Sequence, residues 1–245
     1  GLAGVRKLAP AGSLRRGAST VGDLNLVLAT DDSTGVRAAL RQLPQVASSD
    51  PDLGDVFGLL LHNGMRASVA LTTPEQWGSA LVYWTGARDH VTQLQALAVE
   101  RGWTFDQRGF TVANSLRRCL DEDSVYAALD LPTIIPELRE GWGEIVAAQQ
   151  GCLPAVIEPG DIHADLHWHT TWSDGKSSLR EMTEAGRALG YAFMAVADHS
   201  AYLGVTSGLD AARLRQQRLE IDALNAEYSE SGQPFRLLQG CEVDI

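Results

Sequence analysis

Hydrophobic and polar positions in this chain switch repeatedly between a period of two and a period near that of a helix. Asp23-Leu24-Asn25-Leu26-Val27-Leu28-Ala29 alternates at its start, as a half-buried strand does. Residues 33–43 then place Val36, Ala39, Leu40 and Leu43 on one helical stripe, with Asp32 or Ser33 as N-cap. Residues 56–61 and 67–73 predict paired strands joined at Asn63-Gly64, a dipeptide that tight hairpin turns favour. Pro74 opens a helix at a first-turn position. Residues 86–140 are predicted mostly helical, with one helix over 91–101 closed by Gly102 and a short one over 124–129. Pro154 and Pro159-Gly160 break a predicted connection over 141–160. From Ile162 the order is strand, helix (179–189), strand (192–197), helix (211–228), strand (235–238), the alternation of parallel βα units.

Composition narrows the class. Hydrophobic residues make up 44% and no run of 18 apolar residues occurs, so a soluble protein without a membrane span is expected. No basic-then-apolar leader opens the chain, and Cys119, Cys152 and Cys241 are odd in number and scattered. A reducing, cytoplasmic setting follows as the expectation. The net charge of −11 is uneven: residues 1–120 carry 12 Lys+Arg against 10 Asp+Glu, and the remainder carries 8 against 21. The acidic half is a poor polyanion binder by itself but suits a region that concentrates cations. The first residue is Gly and the last follows a strand, so a fragment of a longer protein is expected.

The densest chemistry lies in Asp165-Leu166-His167-Trp168-His169-Thr170-Thr171-Trp172-Ser173-Asp174-Gly175. Histidines two apart on a strand share one face. Asp198-His199 and Gly240-Cys241-Glu242 each follow a predicted strand, so His167, His169, Asp174, His199 and Glu242 are expected at successive strand ends. Imidazoles with carboxylates suit zinc, manganese or iron, and the cysteines lack thiolate-site spacing.

Taken in order, these segments resemble the bacterial family X DNA polymerases with a C-terminal PHP (polymerase and histidinol phosphatase) domain. Gly12-Ser13-Leu14-Arg15-Arg16-Gly17 is similar to the family's triphosphate-binding turn and Val21-Gly22-Asp23-Leu24-Asn25 to its metal-binding strand. Tyr83-Trp84-Thr85-Gly86-Ala87 resembles the palm–thumb motif, and Ile135-Pro136-Glu137-Leu138-Arg139-Glu140 the segment before the PHP domain. The resemblance implies an α/β multi-domain chain: an α+β nucleotidyltransferase palm over 1–85, a small helical thumb over 86–140, a linker over 141–160, and the first part of a distorted (β/α)7 PHP barrel over 161–245. It implies His167 and His169 on a first metal, Glu242 bridging to a second, and Asp174 and His199 on a third. Asp165 and Asp198 would be carboxylates that orient the histidines, or plain turn and cap residues. Further ligands would lie beyond Ile245.

The chain departs from the family where nucleotide transfer needs three aspartates around two metals. Asp23 matches the first, Asn25 stands at the second and Ser68 at the third. Ala87 replaces a serine, and Gln95 stands where an arginine contacts the template. An amide and a hydroxyl hold Mg²⁺ poorly beside a triphosphate. A palm without polymerase activity is therefore expected, its Ser13, Arg16, Gly22, Asp23, Asn25 and Ser68 a degenerate site, with Ser13, Arg15 and Arg16 left as a structural turn or a weak phosphate contact. What remains is a monomeric DNA-repair phosphoesterase, a 3′→5′ exonuclease using Mn or Zn on gapped DNA or 3′ ends. Mg would serve only an active palm. Three rivals stay open: a gap-filling polymerase, a histidinol-phosphatase-like phosphomonoesterase, and a non-catalytic DNA-binding remnant. The polymerase would need replacement acids from Asp31, Asp32, Asp50, Asp52 or Asp55, which are predicted in loops off the Asp23 face.

Overall fold

A computed structural model describes residues 3–51, 54–202, 206–230, 232 and 235–243. Asp52, Asp244 and Ile245 lie outside the described residues. The chain divides into two units, Gly1–Pro154 and Ala155–Ile245.

The first unit begins with β1 (Val5–Ala11), α1 (Gly12–Arg15), β2 (Leu24–Thr30), α2 (Ser33–Arg41), β3 (Val46–Ser49), β4 (Val56–Leu61) and β5 (Arg66–Thr72). Their sheet runs β1-β2-β5-β4-β3, with β2 and β5 parallel and the other pairs antiparallel. The strand period divides its residues cleanly. Leu28, Ala67, Val69 and Leu71 pack with Val36 and Leu40 of α2 on one face. Val27 and Ala70 turn to the other, against Ala80 and Leu81 of α3 (Trp77–Thr85), which follows a 3-10 turn at Pro74. Asn25 and Ser68 lie on that second face.

The second half of this unit holds α4 (Arg88–Glu100), β6 (Thr104–Asp106), β7 (Gly109–Val112), β8 (Ser115–Arg117), α5 (Glu122–Ala128) and α6 (Glu144–Gln149). Two expectations change here. The predicted helical region contains a three-stranded antiparallel sheet, β6-β7-β8, whose Phe105 and Phe110 are core residues. The predicted linker contains α6, which buries Ile145 and Ala148 in the same core as Val125 and Tyr126. Burial of those apolar side chains outweighs the Gly and Pro punctuation around them.

The second unit contains β9 (Ala164–Trp168), α7 (Leu179–Ala188), β10 (Phe193–Val196), α8 (Ala211–Glu230) and β11 (Arg236–Gln239). The strands form a parallel sheet in the order β11-β10-β9. Trp168, Met194, Val196 and Leu237 project from the sheet onto Leu179, Ile221, Leu224 and Tyr228 of the helices. Ser178 and Glu181 close a reciprocal capping box at the start of α7.

Candidate metal centre

Parallel strands point their carboxyl ends one way, and in such sheets the crevice beyond those ends is where ligands bind. In the second unit β9, β10 and β11 each deliver potential ligands at that edge. His167 is the penultimate residue of β9 and His169 follows the strand. His199 lies three residues past β10, and Glu242 three past β11. A parallel bridge between His199 and Glu242 carries the β10–β11 pairing out to them.

The side chains converge. Glu242 Oε2 is 3.2 Å from Nε2 of both His167 and His169, and 3.6 Å from Nδ1 of His199. Asp174 reaches the same histidines from its own turn, 3.5 Å from His169 Nδ1 and 3.6 Å from His199 Nε2. Two overlapping groups result, His167–His169–Glu242 and His169–Asp174–His199, each with its ligand atoms within 4.8 Å of one another. His169 belongs to both, whereas the resemblance gave it to one metal. Ligands held 2.0–2.2 Å from a tetrahedral ion lie about 3.4 Å apart, close to these spacings. Among the described residues, buried His169 Nδ1 has no hydrogen-bond partner, the state of a nitrogen left to a cation. Imidazole nitrogen with carboxylate oxygen is a donor set that zinc and manganese accept. The residues therefore fit a divalent metal.

The Asp174 turn is held locally. Gly175 N–H donates to Thr170 O at 2.9 Å, and a Cβ on Gly175 would stand 2.5 Å from the His169 carbonyl, so only glycine lets the turn close. Asp165 and Asp198 bond backbone and loop groups. Asp165 accepts the backbone N–H of His167 at 3.1 Å rather than an imidazole proton. Asp198, fully buried, accepts from Thr170 N and Oγ1, Ser173 Oγ and Gln217 Nε2. Both secure backbone and loop. Trp168 is a core residue, and the Trp172 ring faces the Arg213 guanidinium and donates to Glu220, so neither is an open stacking surface. Burial and the neighbouring Asp198 push the Cys241 thiol up. Sequence reasoning missed Thr170 and Gln217, which no metal-site spacing marks.

In the first unit, Asp23, Asn25, Ser13 and Arg16 line an open cleft of about 660 Å³ with Tyr83 and Gln95. Asn25 donates to Asp23 Oδ1 at 3.1 Å, so the amide caps the carboxylate. Ser68 is the register partner of Asn25 but lines a different pocket. Gly22 is exposed beside Asp23, with open space where a Cβ would stand. Asp50 corrects an expectation: its carboxylate lies over Gly58, the β4 partner of Ser68, and so shares the Asn25–Ser68 face. Two strand spacings, roughly 10 Å, separate Gly58 from Asn25, too far to share metals about 4 Å apart.

The basic turn is the short helix α1, and its arginines are engaged. Arg15 makes a bidentate pair with Glu122, which also accepts from fully buried Arg139, and Arg16 pairs with Glu140 at 2.7 Å while donating to Thr85 O. The structural reading of this turn fits these bonds better than a phosphate contact.

A family model described as DNA polymerase beta thumb matches residues 80–140. The chain is 41% identical over 243 residues to a protein of Bacillus subtilis (strain 168) described as DNA polymerase/3′-5′ exonuclease PolX. That alignment takes in 98% of this chain and 42% of the relative, so the chain spans less than half the length of the protein it matches. Among the described residues no helix is long and apolar enough to cross a membrane. With a thumb match over residues 80–140 and alignment along nearly its whole length, the chain belongs to the bacterial family X DNA polymerases.

Proposed function

We propose that the second unit is the first part of a PHP barrel and serves a metal-dependent phosphoesterase that removes nucleotides from DNA 3′ ends during repair. The observation that carries this reading is the pair of overlapping ligand groups centred on His169. His167, His169 and Glu242 would hold one divalent ion, and His169, Asp174 and His199 another, with the His169 ring giving up its proton to bridge through Nε2 and Nδ1 as an imidazolate, and with Mn or Zn favoured by the donors. Bound there, such ions supply an activated water and neutralise phosphate charge. The chain's own residues fix the spacing: Gly175 closes the Asp174 turn, and the His199–Glu242 bridge keeps those two ligands abreast.

The first unit would be a palm, residues 1–85, and a thumb, residues 86–140, that guide DNA without extending it. Support comes from Asn25 and Ser68, uncharged where a two-metal site needs carboxylates, and from an Asp50 that lies two strands from Asn25. A histidinol-phosphatase-like role leaves the 660 Å³ cleft and the thumb without a purpose. The relative's printed description pairs polymerase with 3′-5′ exonuclease, which favours DNA as substrate.

The test uses the full-length protein with Mn²⁺ on gapped DNA labelled at the 3′ or the 5′ end, with dNTPs in a parallel reaction. Stepwise 3′ shortening that His167→Ala abolishes, without extension, supports the reading. Extension that Asp23→Ala abolishes overturns the inactive palm.

A further inference from the structure

We propose that Gln217 of α8 is a positioning residue for the metal centre, acting with Asp198 as a buried polar hub that sets the spacing of the ligand-bearing loops. The proposal rests on the metal-centre reading above. Gln217, Asp198 and Thr170 are all fully buried. Gln217 Nε2 donates to Asp198 Oδ2 at 2.6 Å, and its Oε1 accepts from Gln239 Nε2 at 3.0 Å. Asp198 accepts three further bonds, from Thr170 N at 2.7 Å, Thr170 Oγ1 at 2.7 Å and Ser173 Oγ at 2.6 Å. Four bonds fill the acceptor sites of a carboxylate.

The sequence positions give the network its meaning. Thr170 follows His169, Ser173 precedes Asp174, and Asp198 precedes His199. Gln239 ends β11 three residues before Glu242. Every strand end that carries a ligand is thus tied to Asp198 or Gln217 within three residues. The Gln217–Gln239 bond joins the Glu242 strand to the Asp198 cluster through side chains, alongside the backbone bond from Glu242 N to Asp198 O at 3.1 Å.

A glutamine is chemically suited to the place. One planar amide supplies a donor to the carboxylate and an acceptor to the second amide. An apolar residue of equal volume would fill the space but leave Asp198 one bond short and remove an acceptor from Gln239, in surroundings where unpaired groups are costly. The loops would then settle with altered spacing, and the ligand separations of 3.2–3.6 Å would not be kept.

The experiment compares full-length wild type with Gln217→Met, which keeps length and volume and removes both bonds. Mn²⁺ binding is titrated through the electron paramagnetic resonance of free and bound ion, and the thermal midpoint is measured in chelator. Outer partners of metal ligands typically set affinity by about 10–100-fold, and a Mn²⁺ affinity weakened by that factor in folded Gln217→Met, with an altered bound-ion spectrum, is the expected result. Unchanged affinity and spectrum with only a lower midpoint would make Gln217 a packing residue and overturn the proposal. Should Gln217→Met fail to fold, the isosteric Thr170→Val removes one side-chain bond to Asp198 from a hydroxyl whose other partner is Trp172 N and not a ligand side chain. Weaker Mn²⁺ binding in that variant supports the hub, and unchanged binding overturns it. Wild type that takes up no Mn²⁺ would remove the metal-centre reading itself, a result distinct from equal binding by wild type and variant.

Discussion

Asn25 and Ser68 are direct partners in the parallel pairing of β2 with β5, side by side on one face, and neither carries a charge. Asn25 instead donates to Asp23, the remaining carboxylate. Replacing both with aspartate would put three acids together and lose that donation, so Asn25→Asp/Ser68→Asp is expected to lower stability without metal by about 1 kcal/mol or more. Mg²⁺ should then raise the midpoint of the variant and not of wild type, because only the variant offers a multi-carboxylate site. Thermal melts with and without Mg²⁺ check this, and dNTP extension by the variant would show that charge was the missing element.

His169 is the residue shared by both ligand groups, while His167 and His199 each belong to one. His169→Ala is therefore expected to reduce Mn²⁺ stoichiometry by more than His167→Ala or His199→Ala does. DNA shortening should fall by more than about 100-fold, since even residues outside the ligand set cost 10–100-fold. Stoichiometry measured by metal analysis after gel filtration decides it: equal losses in the three variants would count against a shared ligand.

The paired arginines of α1 lead to a prediction that separates folding from DNA contact. Glu122 bonds both Arg15 and fully buried Arg139. Glu122→Ala leaves those guanidinium groups unpaired and is expected to cost about 3–5 kcal/mol in urea unfolding. Glu140→Ala frees Arg16, which is mostly buried, and should cost less. If Arg16 were chiefly a phosphate contact, Arg16→Ala would weaken DNA binding with a reduced salt dependence; the expected outcome is a stability loss with the salt slope unchanged.

The ligands of the candidate centre were legible because His-x-His, Ser-Asp-Gly, Asp-His and Gly-Cys-Glu are short, ordered motifs at the ends of apolar runs. The bonds behind them were not. A glutamine on helix α8 has no pattern that distinguishes Gln217 from a solvated one, and the family resemblance alone made Asp198 a carboxylate that orients a histidine. In the first unit β3 went unseen because Val46-Ala47-Ser48-Ser49 has little apolar content. The β7–β8 hairpin turns at Ala113 and Asn114 with φ of 46° and 65°, and alanine gives no signal for that conformation. Strands of three or four residues, such as β6 and β8, are too short for alternation to register.

Acid should loosen the first unit in two steps that share a sign. His90, Glu144 and Tyr126 form a buried chain: His90 Nδ1 lies 2.6 Å from Glu144 Oε1, and Nε2 lies 3.0 Å from Tyr126 Oη. Burial pushes the Tyr126 phenol up, so it stays a donor to Nε2 while Nδ1–H donates to Glu144. Burial also lowers the His90 pKa from 6.5, against the opposing pull of Glu144. The unfolded chain then binds the extra proton first, and stability falls as pH drops below about 6.5, levelling off below the folded value. For Glu144, burial raises the pKa, but the bonds from His90 and from backbone N–H groups, including Gly141, outweigh it and leave it below 4.5. Its contribution is complete above that value and is lost as pH falls through the lower, folded one. His90→Asn should remove the upper step and cost about 1–3 kcal/mol near neutral pH, because Glu144 and Tyr126 lose their shared partner. Calorimetric melts of wild type and variant across the acid range provide the check, and an upper step that survives in the variant would assign the titration to another group.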